Sequence, residues 1–295
     1  MTDNFIMKPK VDFCFKELME EAEVRRGFLA VVLGIKPEEI VKTELLSTHL
    51  RKMHKEDKLG ILDVRVVLNN KEQIDMEIQV APFSLWPERC LFYLAKIYVD
   101  QIHEGDDYSK LKKCIHIGIL DFELFPDDKE YYSRFHIWED SRRKKYTDKF
   151  EIHIFELPKL RKYEYPESEL LNWMRFMNAE REEEFQMLAD GNEYMEKAYE
   201  KLTKISADEQ KRLEYEAREK AIRDYNWQMK TSHQKGYQSG YDTGYEDGER
   251  QGSIKTFIEA GRKFGVSRDA VFQGLIEEQK LTDTEAEKYM QEYWK

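Results

Sequence analysis

The chain has 295 residues, a net charge of −11, 41% hydrophobic residues and 13% aromatics. That apolar share supports one sizeable domain with an appendage, or two small domains, and excludes a disordered polypeptide. The acidity argues against a generally basic nucleic-acid coat, leaving only a local basic cleft as a route to such a partner.

No window resembles a signal peptide, and no apolar run approaches the roughly 20 residues that span a bilayer. Cys14, Cys90 and Cys114 lie in apolar segments without CxxC spacing. That pattern predicts buried free thiols in a reducing cytoplasm and no membrane partner.

In chain order, a first helix is expected from Asp12 to Leu33, stopped by Gly34 with Pro37 beyond it. Val41 to Ser47 reads as a strand, and the charged stretch 51–58 as a loop. Two amphipathic strands follow, 60–68 and 74–80, as a hairpin. Leu62, Val64, Val66 and Leu68 share the apolar face of the first; Ile74, Met76, Ile78 and Val80 share that of the second. Burying both apolar faces in one core puts Asp63 on the same side as Asp75, Glu77 and Gln79. This match requires a connection with an odd number of residues, or a bulge.

Pro87 then opens a helix that Gly105 closes, with Leu91, Leu94, Ala95, Tyr98 and Ile102 as its buried stripe and Arg89 and Tyr93 on another face. Cys114 to Phe122 reads as a strand covered on both sides. Two alternating segments, around Phe135–Ile137 and Phe150–Ile154, extend the sheet. From Glu167 onward the pattern is helical. Gly236, Gly240, Gly244, Gly248 and Gly252 recur every fourth residue, beside Tyr237, Tyr241 and Tyr245. Helix is favoured there over a flexible linker, although each glycine costs about 1 kcal/mol relative to alanine. The expected divisions are 1–160 for the α/β core, 161–232 for a charged helical region, 233–253 for the glycine repeat and 254–295 for a small helical tail.

Two readings of the hairpin's polar face stand side by side. It is either the solvated side of an ordinary amphipathic pair or a site for a hard divalent cation. In the second reading Asp63, Glu77 and the backbone carbonyl of Ile78 supply oxygen ligands, and Gln79 orients a water or a phosphate oxygen. No GxxxxGK[ST] loop, GxSxG elbow or HExxH pair is present, and the histidines show no zinc-binding spacing.

The order helix, strand, strand ending in Asp63, strand carrying Glu77-x-Gln79, helix, strand resembles the PD-(D/E)xK nuclease superfamily. More narrowly, the chain resembles the recombination-promoting nuclease/putative transposase family of bacteria. The matching residues are Asp12-Phe13-Cys14-Phe15-Lys16, Gly60-Ile61-Leu62-Asp63-Val64 and Asp75-Met76-Glu77-Ile78-Gln79, followed by Arg89, Tyr93, Tyr108 and Leu124-Phe125. They cover roughly residues 7–125.

The resemblance implies a restriction-endonuclease-like α/β core, a mixed central sheet flanked by helices, with a C-terminal helical extension. It implies a Mg²⁺-dependent DNA endonuclease linked to recombination or mobile elements. Asp63 and Glu77 would be metal ligands, with Gln79 in the place of the superfamily's lysine. Asp12, Lys16, Arg89 and Tyr93 are expected to face DNA. Glu17 or Glu20 is weighed as an additional acidic ligand, the cluster 142–145 as a backbone contact, and the C-terminal helices as a route to a homodimer. The competing readings are a non-catalytic DNA- or protein-interaction module that keeps the fold, and a nuclease acting on RNA.

Overall fold

A computed structural model describes residues 5–49, 62–69 and 71–295. Gly60 and Ile61, expected in the hairpin, and the stretch 51–58 lie outside them. The chain divides into two compact units, 1–225 and 226–295.

The first unit opens with two helices where one is expected, α1 (Asp12–Glu20) and α2 (Ala22–Leu33). The break falls at Glu21, which is extended. Its cause is Arg25, whose buried guanidinium donates to the carbonyls of Met19 (2.5 Å) and Glu20 (3.2 Å) and to Thr43 Oγ1 (3.0 Å). Those carbonyls would otherwise be unpaired at a helix end. Gly34 closes α2 in the left-handed region (φ 66°), as its position after the last apolar residue requires.

The described residues then form one six-stranded sheet: β1 (Thr43–Leu46), β2 (Val64–Leu68), β3 (Glu72–Gln79), β4 (Cys114–Leu120), β5 (Tyr132–Glu139) and β6 (Lys144–Glu156). Its spatial order is β1-β2-β3-β4-β6-β5. The β1–β2, β2–β3 and β5–β6 pairs are antiparallel; β3–β4 and β4–β6 are parallel. The parallel step from β3 to β4 is spanned by helix α3 (Trp86–Val99). Leu68 pairs with Glu72, so the hairpin connection has three residues, the odd number that face matching demands.

One face of the sheet carries Ile74, Met76, Ile78, Ile115, Ile117, Ile119 and Phe155. They pack in the main core with residues of α1, α2, α4 (Glu169–Asn178), α5 (Glu182–Ala189) and α6 (Glu193–Ala207), and with Tyr215 of α7 (Glu209–Lys263). The N-terminal segment is tied to the same helices: the Met7 N–H donates to Ser206 Oγ (3.0 Å) and the Lys8 N–H to the Tyr215 hydroxyl (3.3 Å).

The opposite face is covered by α3, whose buried side is Trp86, Cys90, Tyr93, Leu94 and Ile97. This corrects two expectations. Leu91 and Ala95 are exposed, because α3 turns Arg89 and Tyr93 toward the sheet and carries its stripe around with them. The helix also ends at Val99; Gly105 is left-handed in the loop beyond. A further consequence is that the polar side of β3 is not an outer face at all: Asp75 and Glu77 are buried.

In the second unit the glycine repeat is helical, within α7. A Cβ added at any of the five repeat glycines would have nothing within 4 Å, and Tyr237, Tyr241 and Tyr245 are exposed. Ile254 and Ile258 form a separate small core with α8 (Arg268–Glu277) and α9 (Asp283–Tyr293). No helix among the described residues is long and apolar enough to cross a membrane.

Candidate active site

Asp63 immediately precedes β2. Val64 pairs with Met76, and extending that register by one residue sets Asp63 opposite Glu77. The Asp63 carboxylate is fixed from two sides. Oδ2 accepts the Ile78 N–H (3.1 Å), and Lys16 Nζ of α1 lies 2.9 Å from Oδ1. Burial raises its pKa, and Lys16 opposes that shift.

Glu77 is held by Arg89, from the first turn of α3. The Nε of Arg89 donates to Oε1 at 3.1 Å, and Nη2 donates to the same oxygen. The Arg89 guanidinium also lies over the Tyr93 ring, 5.2 Å from its centroid. Glu77 Oε2 is buried and has no hydrogen-bond partner among the described residues. Burial, then the neighbouring Asp75 carboxylate, push the Glu77 pKa up to about 7 even against Arg89.

Gln79, at the end of β3, donates from Nε2 to the Ala81 carbonyl (3.1 Å). Asp12 accepts a long ion pair from Lys16 (3.8 Å) and another from Arg218 (3.9 Å). A polar cleft of about 480 Å³ brings together Asp12, Asp63, Ile78, Gln79 and Arg89, with Arg218 and Tyr225 from α7 completing its lining. Glu77 sits behind this surface and does not line it. Glu17 is taken up elsewhere, by Lys201 (3.3 Å) and Lys211 (2.5 Å), and Glu20 is exposed at the end of α1. The basic cluster 142–145 lies exposed at the β5–β6 turn, where Arg142 is paired with Glu139 (3.1 Å).

Sequence reasoning sets Asp75 on the hairpin's polar face without giving it a role, and it misses His116 altogether. Asp75 pairs across β3–β4 with His116, and its Oδ2 lies 2.7 Å from His116 Nδ1, both side chains being fully buried. With Glu77 they offer three potential metal-ligand atoms within 4.8 Å of one another. Asp75 Oδ1 and His116 Nε2, like Glu77 Oε2, have no hydrogen-bond partner among the described residues. Burial alone would lower the His116 pKa, but Cys90 and Asp75 beside it hold it well above the ordinary value. Gly118, the β4 residue paired with Glu77, leaves the room this requires. A Cβ there would come 2.9 Å from Trp86 Cζ2 and 3.3 Å from His116 Nε2. The available signal was a histidine inside the apolar β4 run.

A second buried polar group occupies the other face. Glu151 of β6 meets Arg134 Nε (2.6 Å), His153 Nε2 (2.9 Å), His136 Nε2 (3.3 Å) and Lys113. The Tyr132 hydroxyl lies 2.8 Å from His153 Nδ1. Burial would raise the Glu151 pKa, yet His153 and Lys113 hold it far below the carboxylate range.

Compared with known proteins, residues 9–232 match the family model for the PD-(D/E)XK nuclease family transposase. No curated protein and no solved structure matches the chain.

Proposed function

From the premise that this chain belongs to the PD-(D/E)XK nuclease family, we propose that it is a cytoplasmic, metal-dependent DNA endonuclease serving recombination or mobile elements. The observation that carries the reading is Asp63, which lines the cleft, standing opposite Glu77 just behind it, with one buried Glu77 oxygen unpartnered among the described residues. A buried, unpartnered carboxylate oxygen costs stability unless a cation or donor completes it.

The donors suit a divalent cation such as Mg²⁺. Asp63, Glu77 and the Ile78 carbonyl would hold it through oxygen, the ligand type a hard ion takes. Asp75 and His116 stand beside Glu77 as further donors. An ion held by these residues would supply Lewis-acid chemistry, polarising a phosphoryl oxygen and acidifying a water.

The remaining work belongs to the chain's own groups. Lys16 and Arg89 neutralise the two carboxylates, and each can pass a charge-assisted hydrogen bond to a phosphate oxygen. Gln79 positions the attacking water or bonds a phosphate oxygen through its amide, a weaker donor than a lysine ammonium. Asp75 keeps its orientation through His116. Cutting both strands takes two such sites, and pairing of two copies through the C-terminal helices is our reading of how they meet.

Plasmid nicking in Mg²⁺ tests this directly. Wild type should convert supercoiled to open-circular DNA, and Asp63→Ala should not, with an unchanged far-UV spectrum. Equal nicking by the purified variant would sink the assignment.

A further inference from the structure

Among the described residues Arg89 and Arg218 line the cleft and Lys16 pairs with its Asp63, and the three cations are not equivalent. Lys16 is engaged by Asp63 at 2.9 Å, and Arg89 is engaged by Glu77 through two donors. Arg218 makes no hydrogen bond among the described residues. Its ion pair with Asp12 spans 3.9 Å, and its side chain is 61% exposed. A pair of that length between solvated groups is weak. Asp12 also keeps Lys16 at 3.8 Å, so it is not stranded when Arg218 leaves.

The helix that carries Arg218 is firmly placed within the first unit. Tyr215, one turn earlier, is buried and accepts the Lys8 N–H, and Lys211 pairs with Glu17 of α1. Arg218, Ile222 and Tyr225 follow at helical spacing and line the cleft beside Asp63, Gln79 and Arg89. The family match runs past this stretch to residue 232, so the wall is part of the nuclease domain.

We propose that Arg218 is a phosphate-binding residue of the cleft, exchanging its loose contact with Asp12 for a backbone phosphate of bound DNA. The inference rests on the nuclease reading and adds to it a substrate contact from α7. A guanidinium presents five donors in a planar fork that matches phosphate oxygens, and those of Arg218 are uncommitted among the described residues. Anchored by Tyr215, the helix holds that fork at the cleft with little ordering left to do on binding.

The test is duplex binding by the full-length protein in EDTA, where strand cleavage cannot obscure affinity. Fluorescence anisotropy with a labelled duplex is measured across a series of KCl concentrations for wild type, Arg218→Gln and Arg218→Lys. The expected result for Arg218→Gln is weaker binding and a log Kd against log [KCl] slope shallower by about 0.9, one phosphate contact's worth. Arg218→Lys should retain the wild-type slope, since its charge remains, while losing part of the affinity. A purely structural role for Arg218 would change the melting temperature without changing the slope. Wild-type binding with the same slope in Arg218→Gln overturns the assignment and leaves the nuclease reading intact. Absence of duplex binding by wild type overturns the Arg218 assignment, while nicking in Mg²⁺ decides the nuclease reading separately.

Discussion

Glu77 and Glu151 are equally buried carboxylates on opposite faces of one sheet, and they are treated in opposite ways. Glu151 is surrounded by Lys113, Arg134, His136 and His153, and its pKa is driven far down. Glu77 has one arginine on one oxygen, no partner on the other among the described residues, a carboxylate neighbour, and a pKa raised to about 7. Glu151 Oε2, like Glu77 Oε2, makes no hydrogen bond among the described residues, but it faces Lys113 and His136. A buried charge ringed by cations is a structural joint, whereas one with a bare oxygen beside a cleft is a place left open for chemistry.

The contrast can be broken most decisively at Glu77. Glu77→Ala should reduce Mg²⁺-dependent plasmid nicking by at least roughly 10²-fold, the scale of losing one transition-state-stabilising group. Its urea midpoint should move little, because the partner left behind, Arg89, reaches solvent. Glu151→Ala should do the reverse. Removing it leaves the buried His153, and His136 beside it, without their acceptor and should lower unfolding free energy by about 1–3 kcal/mol, the cost of an unsatisfied buried polar group. Nicking per folded molecule should be retained.

Acid titration sharpens the same comparison. The folded Glu151 pKa lies below its unfolded value of 4.5, so its contribution is present above that pH and is lost as pH falls through the folded pKa. Below about pH 4.5, wild type should therefore lose stability faster than Glu151→Gln, by up to about 1.4 kcal/mol per pH unit, in urea melts. The smallest effect is expected at Gln79. Gln79→Lys replaces a neutral donor by a charged one and should raise the nicking rate by about tenfold or less.

Much of this was legible because it depends on short-range pattern. The hairpin alternation and its odd connection place Asp63 against Glu77 without reference to anything distant. The β4 run, the β5–β6 pair, the Gly34 stop and the helical glycine repeat followed from local composition in the same way. What escaped depends on partners far along the chain. The break between α1 and α2 is set by Arg25 turning back on Met19, with no glycine or proline to announce it. The α3 face is fixed by Arg89 reaching Glu77, which helical periodicity alone does not reveal. The Asp75–His116 contact depends on the register of a parallel pair, and Arg218 reaches the cleft from a helix at the far end of the unit.

The ties of the N-terminal segment to Ser206 and Tyr215 bear on the order in which this molecule is made. On a ribosome the segment that precedes α1 emerges well before its partners, Ser206 and Tyr215. Closing so long a loop costs chain entropy before its contacts repay it, so these ties form after local ones. The hairpin and α3, built from neighbouring sequence, form earlier. Asp63 and Glu77 thus meet Lys16 and Arg89 from elements made early, whereas Arg218 reaches the cleft only once α7 has been made.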